Sequence, residues 1–225
     1  LATMKTKNNI IAFIPAREGS KSILKKNLKK IKKKSLVEIT LSNAIKSNLF
    51  KTIVLSSDDS KILKLGKKIK KVITFKRPKS ISRDTSTTDE AILHYLDNYQ
   101  YDEEYLIILQ VTSPLRKLKT LIKFANYCTN NKIKNCLSVT LKKDHVSKFG
   151  KYFKPIEKNN IRRRQNRKGF LVENGMFYFL NIKDFLRRRK IYTKNWNYFT
   201  TDEYESIDIN NYRDLQIARI IYNKL

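Results

Sequence analysis

Five short apolar runs, at residues 9–14, 52–56, 72–75, 105–109 and 136–141, constrain this chain more than any other feature. They are too short for core helices and are bounded by polar turns, so each reads as a buried strand. Amphipathic stretches fill the intervals. Ser35 is placed to cap a helix with Leu36, Ile39, Ala44 and Ile45 on its apolar side. Asp59 or Ser60 caps a second, carrying Ile62, Leu63 and Ile69. Thr87 or Thr88 opens a third, with Asp89 and Glu90 set against its N-terminal dipole and Ala91, Ile92, Tyr95 and Leu96 as its apolar side. A fourth runs through Leu118, Ile122 and Ala125, and a last starts near Asn211 and carries Leu215, Ala218 and Ile221. Strands alternating with helices predict an α/β fold with a doubly wound, mostly parallel sheet.

The 225 residues suit one such unit with a small addition. Residues 1–141 read as the α/β core. Over 142–180 the pattern turns basic and Asn-rich and ends in an aromatic run at 175–180. That segment reads as a hairpin-like insertion, suited to a dimer contact or to the wall of a pocket. Residues 181–225 return to the core, and residues 1–3, ahead of Met4, read as a leader or remnant. Cys128 and Cys136 make neither a metal quartet nor a disulfide framework, so a reduced, cytoplasmic setting is the default. The apolar run at 10–15 is too short to cross a membrane.

In doubly wound sheets, ligands bind beyond the carboxyl ends of the strands, and the polar clusters of this chain fall there. After the first run comes Pro15-Ala16-Arg17-Glu18-Gly19-Ser20-Lys21, then Lys25-Lys26-Asn27. Backbone N–H groups of such a loop can wrap phosphate oxygens while Arg and Lys neutralise them. The bland alternative is an ordinary basic loop; neither a Walker A nor a Gly-x-Gly-x-x-Gly pattern is present. Arg77-Pro78 and Asp84-Thr85-Ser86-Thr87-Thr88 place hydroxyls at a helix start, where capping competes with base or ribose binding. Gln110-Val111-Thr112-Ser113-Pro114-Leu115-Arg116 follows the fourth run, and Gln110 offers both a donor and an acceptor. Arg162-Arg163-Arg164-Gln165 and Glu173-Asn174-Gly175 form a fourth cluster; an Arg fork there suits a carboxylate, and a solvated basic hairpin is the alternative. In Glu205-Ser206-Ile207-Asp208-Ile209-Asn210, Asp208 sits at the end of an expected short strand, as a Mg²⁺ ligand or as a capping carboxylate. His94 reads as structural, and His145 as a weak candidate for lining a pocket.

The order and spacing of these clusters resemble the CMP–sialic acid synthetase family, the acylneuraminate cytidylyltransferases. The opening resembles that family's Pro-Ala-Arg-x-Gly-Ser-Lys-Gly…Lys-Asn loop. Arg-Pro…Asp-Thr, Gln-x-Thr-Ser-Pro-Leu-Arg, Arg-Gln…Asn-Gly and Ser-Ile-Asp-Ile-Asp follow in order, spanning about residues 10–218. The resemblance implies a nucleotide-diphospho-sugar transferase-like fold and transfer of CMP from CTP to the anomeric hydroxyl of a nine-carbon acidic sugar. It implies Arg17, Ser20 and Lys21 at the triphosphate, and Lys26 and Asn27 near the reacting phosphate and the ribose or base. Arg17, Lys21 and Lys26 would be the catalytic cations. Arg77 would bind the nucleotide, Ser86 and Thr88 would sit at the cytidine, Gln110, Arg164, Gln165 and Asn174 would serve the sugar, and Asp208 and Asn210 a Mg²⁺ ion. It also implies a homodimer built through the 142–180 segment. Four positions depart from the pattern: Ser22 for Gly, Leu24 for Pro, Val172 for an Arg found in some members, and Asn210 for the second aspartate of Asp-x-Asp. Asn210 can still offer a neutral oxygen, which implies weaker or water-mediated metal binding.

Rival readings are an enzyme for the eight-carbon sugar Kdo, a catalytically weak relative, and a basic nucleic-acid-binding protein. The last rests on 49 Lys plus Arg against 20 Asp plus Glu, a formal net charge of +29. The lysines are spread along the whole chain, and the aromatics form no RNA-binding motif, which weighs against it.

Overall fold

The computed structural model describes residues 9–149, 151, 154, 156 and 163–224. The reading of residues 1–3, and Arg162 of the arginine run, lie outside the described residues. Nine strands and six α-helices are formed among those described. In chain order they are β1 (Ile10–Pro15), β2 (Lys30–Ile31), β3 (Lys34–Ser35), α1 (Leu36–Ser47), β4 (Thr52–Ser57), α2 (Ser60–Lys67), β5 (Val72–Lys76) and α3 (Thr88–Asn98). There follow β6 (Tyr105–Leu109), α4 (Leu118–Asn130), β7 (Asn135–Lys142), β8 (Phe170–Asn181), α5 (Ile182–Arg188), β9 (Asn197–Thr200) and α6 (Tyr212–Lys224).

Seven strands make one sheet in the order β5-β4-β1-β6-β8-β7-β9, and β2 pairs with β3 in a small separate ribbon. β5, β4, β1 and β6 run parallel, β8 is antiparallel to β6 and β7, and β9 is parallel to β7. The predicted doubly wound, mostly parallel sheet is therefore present. Alternation along β1 feeds two helical layers. Ile10, Ala12 and Ile14 pack with residues of α1, α4 and α6, whereas Ile11 and Phe13 pack with Ala91, Ile92 and Tyr95 of α3 and Phe185 of α5. A strand buried on both faces must be apolar at every position, which is why the run at 10–14 showed no alternation.

Helix starts follow local chemistry. Ser35 and Glu38 form a capping box at α1, Asp59 rather than Ser60 caps α2, and Thr87 with Glu90 forms a capping box at α3. α2 ends at Lys67, so Ile69 falls beyond it in a turn, its N–H donating to the Gly66 carbonyl. At Gly66 a Cβ would stand 2.6 Å from Thr74 Cγ2 and 2.8 Å from Leu55 Cδ2, so glycine lets α2 press onto β4 and β5.

Two sequence expectations need correction. The 142–180 segment is not wholly an insertion, because its last third is β8, which lies inside the main sheet between β6 and β7. Its aromatic run reads as an appendage in sequence, yet Met176, Phe177 and Phe179 are core residues. Nor do residues 206–210 form a strand: Ser206 ends a turn and residues 207–210 join no ladder, held to the core where the Ile209 N–H donates to the Thr112 carbonyl at 2.8 Å.

Candidate active site

Successive strands are added to one side of β1 and then, from β6 on, to the other, and this switch between the parallel neighbours β1 and β6 opens a crevice at their carboxyl ends. A cavity of about 280 Å³ lies there, lined by Arg17, Ser20, Lys26, Asn27, Arg77, Ser86, Thr88 and Gln110, among others. The loop after β1 is held from three sides. Ala16 N–H donates to the Ser56 carbonyl at 2.9 Å, Glu18 N–H to Asp58 Oδ1 at 2.8 Å, and Asn27 Nδ2 to the Arg17 carbonyl at 2.8 Å. Arg17 Nη1 donates to the Arg83 carbonyl at 2.7 Å and lies 3.2 Å from Asp84 Oδ1, while Lys21 Nζ lies 3.3 Å from Asp84 Oδ2. Asp84 thus holds two loop cations, one of which, Arg17, lines the cavity.

Arg77 forms the floor. It is buried, donating to Ser56 Oγ and the Ser56 carbonyl, each at 3.2 Å, and burial pushes its pKa down to about 10, which leaves it charged at neutral pH. Arg116 is buried behind the crevice. Its Nη2 donates to the Gln110 carbonyl, its guanidinium lies 5.5 Å from the Phe177 ring centre, and burial lowers its pKa to about 9. It fixes the backbone that carries Gln110.

A second, larger cavity of about 890 Å³ is lined by Thr140, Lys142, Arg164, Glu173, Asn174, Tyr178, Glu203, Asp208 and Asn210, among others. The 207–210 segment separates the two. Lys26 Nζ, from the smaller cavity, donates to the Ile209 carbonyl at 2.9 Å, and Ser22 Oγ donates to the Asn210 carbonyl. Burial lowers the Lys26 pKa and Arg17 adds to this, while Asp208 opposes it. Two of the four departures, Ser22 and Asn210, therefore touch each other: the hydroxyl that replaces a glycine ties the loop to the Asp208–Asn210 pair.

Asp208 and Asn210 together present one carboxylate and one carboxamide, with Asn210 Nδ2 donating to Asp208 Oδ2 at 2.9 Å. Among the described residues no three His, Cys, Asp or Glu side chains cluster as a metal site. The pair fits a hard divalent cation in company with phosphate oxygens and water, as Mg²⁺ usually binds in phosphoryl-transfer sites.

Most of the predicted residues are brought together. Gln110, expected with the sugar, sits among the nucleotide candidates. Lys21 and Gln165 line neither cavity; the Lys21 side chain is 83 % exposed, and the Gln165 carbonyl accepts from Lys143 Nζ at 3.0 Å. Arg164 reaches the larger cavity but is engaged with Asp144 at 3.4 Å. Sequence reasoning did not single out Thr140, Lys142, Tyr178, Glu203 or Tyr204. For Tyr178 the aromatic run at 175–180 was a signal; the others come from segments with no motif. No helix among the described residues is long and apolar enough to cross a membrane.

The cytidylyltransferase family model matches residues 11–223. The chain is 27% identical over 221 residues to the pseudaminic acid cytidylyltransferase of Campylobacter jejuni, covering 94% of this chain and 95% of that protein. It is 26% identical over 211 residues to the N-acylneuraminate cytidylyltransferase of Streptococcus agalactiae, covering 91% of this chain and 51% of that longer protein. A solved structure of CMP:2-keto-3-deoxy-manno-octonic acid synthetase complexed with CTP superposes with a TM-score of 0.70 over 96% of this chain and 98% of that one, at 13% identity. That last likeness is one of fold.

Proposed function

The chain belongs to the cytidylyltransferase family, and from that premise we propose that it transfers the CMP half of CTP to the anomeric hydroxyl of a nine-carbon acidic sugar of the sialic acid type, releasing pyrophosphate. The observation that carries this reading is the pairing of a cation-lined crevice at the β1/β6 switch point with a larger polar cavity across the 207–210 segment. The smaller cavity has the cations for a triphosphate; the larger has room and polar groups for a sugar acid. The relatives named for pseudaminic acid and for N-acylneuraminate support an acidic sugar as acceptor.

In this mechanism the sugar hydroxyl attacks the α-phosphorus of CTP and pyrophosphate leaves, with no covalent intermediate on the enzyme. Arg17 and Lys21 leave Asp84 and neutralise the β- and γ-phosphates, where charge builds as the leaving group departs. Lys26, anchored on the Ile209 carbonyl, stands at the boundary where sugar and phosphate meet. Ser86 and Thr88 at the start of α3, with Gln110, hold the cytidine side, and Arg164 swings from Asp144 to the sugar carboxylate. Asp208 and Asn210 would hold Mg²⁺, which when bound supplies charge neutralisation at the phosphates. A homodimer formed through the 142–180 segment is part of the same proposal.

Pyrophosphate release tests the reading directly, with the four nucleoside triphosphates against a panel of nine-carbon acids and the eight-carbon acid Kdo. Release with CTP and a nine-carbon acid, and not with ATP or GTP, is expected; no release with any acid overturns the reading. The same assay checks the metal pair. Asn210→Asp adds the second carboxylate, so the Mg²⁺ concentration for half-maximal rate should fall several-fold. An unchanged Mg²⁺ titration would remove Asn210 from the metal's surroundings.

A further inference from the structure

Glu173 stands in the wall of the larger cavity, held by an aromatic bracket. The hydroxyls of Tyr178 and Tyr192 both donate to its Oε1, the Tyr192 bond at 2.5 Å. Trp196 braces both tyrosine rings edge-on, with centroids 6.3 Å and 6.1 Å away. Strand alternation alone would keep Glu173 and Tyr178 apart, because residues five apart point to opposite faces. The β7–β8 ladder breaks there: Leu137 pairs with Tyr178 and Val139 pairs with Glu173, so two steps on β7 face five on β8. Gly175, at φ +69°, lies inside that irregularity. The bulge turns Glu173 and Tyr178 to the same side. Burial, and next the bond to Glu173, raise the pKa of both tyrosines, so they remain neutral donors.

A carboxylate in the wall of a cavity meant for an acid has a defined consequence. It repels the substrate's carboxylate and accepts only from donors. With Oε1 taken by two tyrosines, Oε2 accepts no hydrogen bond among the described residues. The cations of the cavity, Lys142 and Arg164, are paired with Glu203 and Asp144. Glu173 is therefore a preset acceptor with no ion pair to a cation among the described residues.

We propose that Glu173 is a specificity-determining residue, which through Oε2 accepts a hydrogen bond from a hydroxyl or acylamido N–H of the sugar and turns the sugar's carboxylate toward Arg164. This rests on the sugar-acid reading of the preceding subsection. A site built to hydrogen-bond a substrate donor rejects analogues lacking it better than an apolar wall does; Glu173 is exposed in the wall of the cavity and is held in place there by the two tyrosines.

The test is steady-state kinetics of wild type, Glu173→Gln and Tyr192→Phe, with the best sugar acid of the panel and with analogues deoxygenated or O-methylated one position at a time. For Glu173→Gln we expect a ten- to hundredfold loss in kcat/KM for the sugar, carried mainly by KM, with KM for CTP unchanged. One analogue should lose a similar factor on the wild type and little more on the variant. Tyr192→Phe, which keeps the carboxylate and drops one tether, should show a smaller loss in the same direction. An unchanged sugar KM in Glu173→Gln, or equal losses for every analogue on both enzymes, overturns the assignment. If Glu173→Gln unfolds, the analogue profile of Tyr192→Phe decides alone: no selective change there overturns it. Wild type inert toward every sugar acid overturns the underlying reading, and the Glu173 assignment with it.

Discussion

Arg17→Ala should lower kcat/KM for CTP by about 10²–10³-fold, the usual effect of removing one preorganised charge stabiliser from a transition state, while leaving the fold intact. The side chain leaves the carboxyl end of β1, is one-third exposed, and spends its bonds on the Arg83 carbonyl and Asp84. A half-solvated ion pair contributes little to stability, on the order of 1 kcal/mol or less. The loop does not depend on the guanidinium, because its backbone is tied through Ala16, Glu18 and Asn27. The loss should therefore fall on turnover. Pyrophosphate release measured beside thermal unfolding separates the two, and near-normal activity with CTP would remove Arg17 from the phosphate site. Arg17→Lys should recover part of the rate, since it restores a charge without the planar fork.

Asn174→Ala should cost about 3 kcal/mol of stability, from leaving several part-buried partners unsatisfied at 1–3 kcal/mol each with partial relaxation. The resemblance implies a sugar contact for this residue, but its amide is fully engaged. Oδ1 accepts from Ser138 Oγ at 2.6 Å and from the Met176 N–H at 3.2 Å; Nδ2 donates to Thr140 Oγ1 at 2.9 Å and Thr201 Oγ1 at 2.8 Å. Those bonds join β7, β8 and the segment after β9, and so set the back wall of the larger cavity. For a chain of this size such a loss should lower the unfolding midpoint by roughly 6–12 °C. Circular dichroism melting checks it. An unchanged midpoint with a raised sugar KM would make Asn174 a substrate contact rather than a brace.

How much was legible in the sequence can be judged residue by residue. β1, β4 and β6 were readable because strands buried on both faces run apolar, and β5, a mostly half-buried sheet edge, because it is a short run rich in β-branched and aromatic residues. The caps at Ser35, Asp59 and Thr87 were readable because a cap bonds within three residues of itself, so its whole chemistry lies in a short window. The crevice followed from these, since Arg17, Lys26, Ser86 and Gln110 all directly follow strands or open a helix. β9 and α5 gave weaker signals. β9, Asn197–Thr200, is a sheet edge with mostly exposed residues, and α5 has only seven residues.

The chain's own pattern carried the resemblance to the family, the parallel half of the sheet and most of the side chains that gather in the smaller cavity, because the motifs and apolar runs behind them are local. Tertiary structure alone decided the rest. β8 lies between β6 and β7 because of a pairing between segments far apart in the chain, and no local rule marks which strand fills that gap. Gln110 falls beside Arg77 and Ser86, and Ser22 against Asn210, through contacts that span tens to hundreds of residues. Glu173 meets Tyr178 and Tyr192 because a bulge inverts the strand's alternation. Backbone preference and hydrophobic period act over a few residues, whereas a site is assembled by packing. The physics that formed the parallel strands was therefore readable along the chain, and the physics that set β8 in the sheet and closed the larger cavity was not.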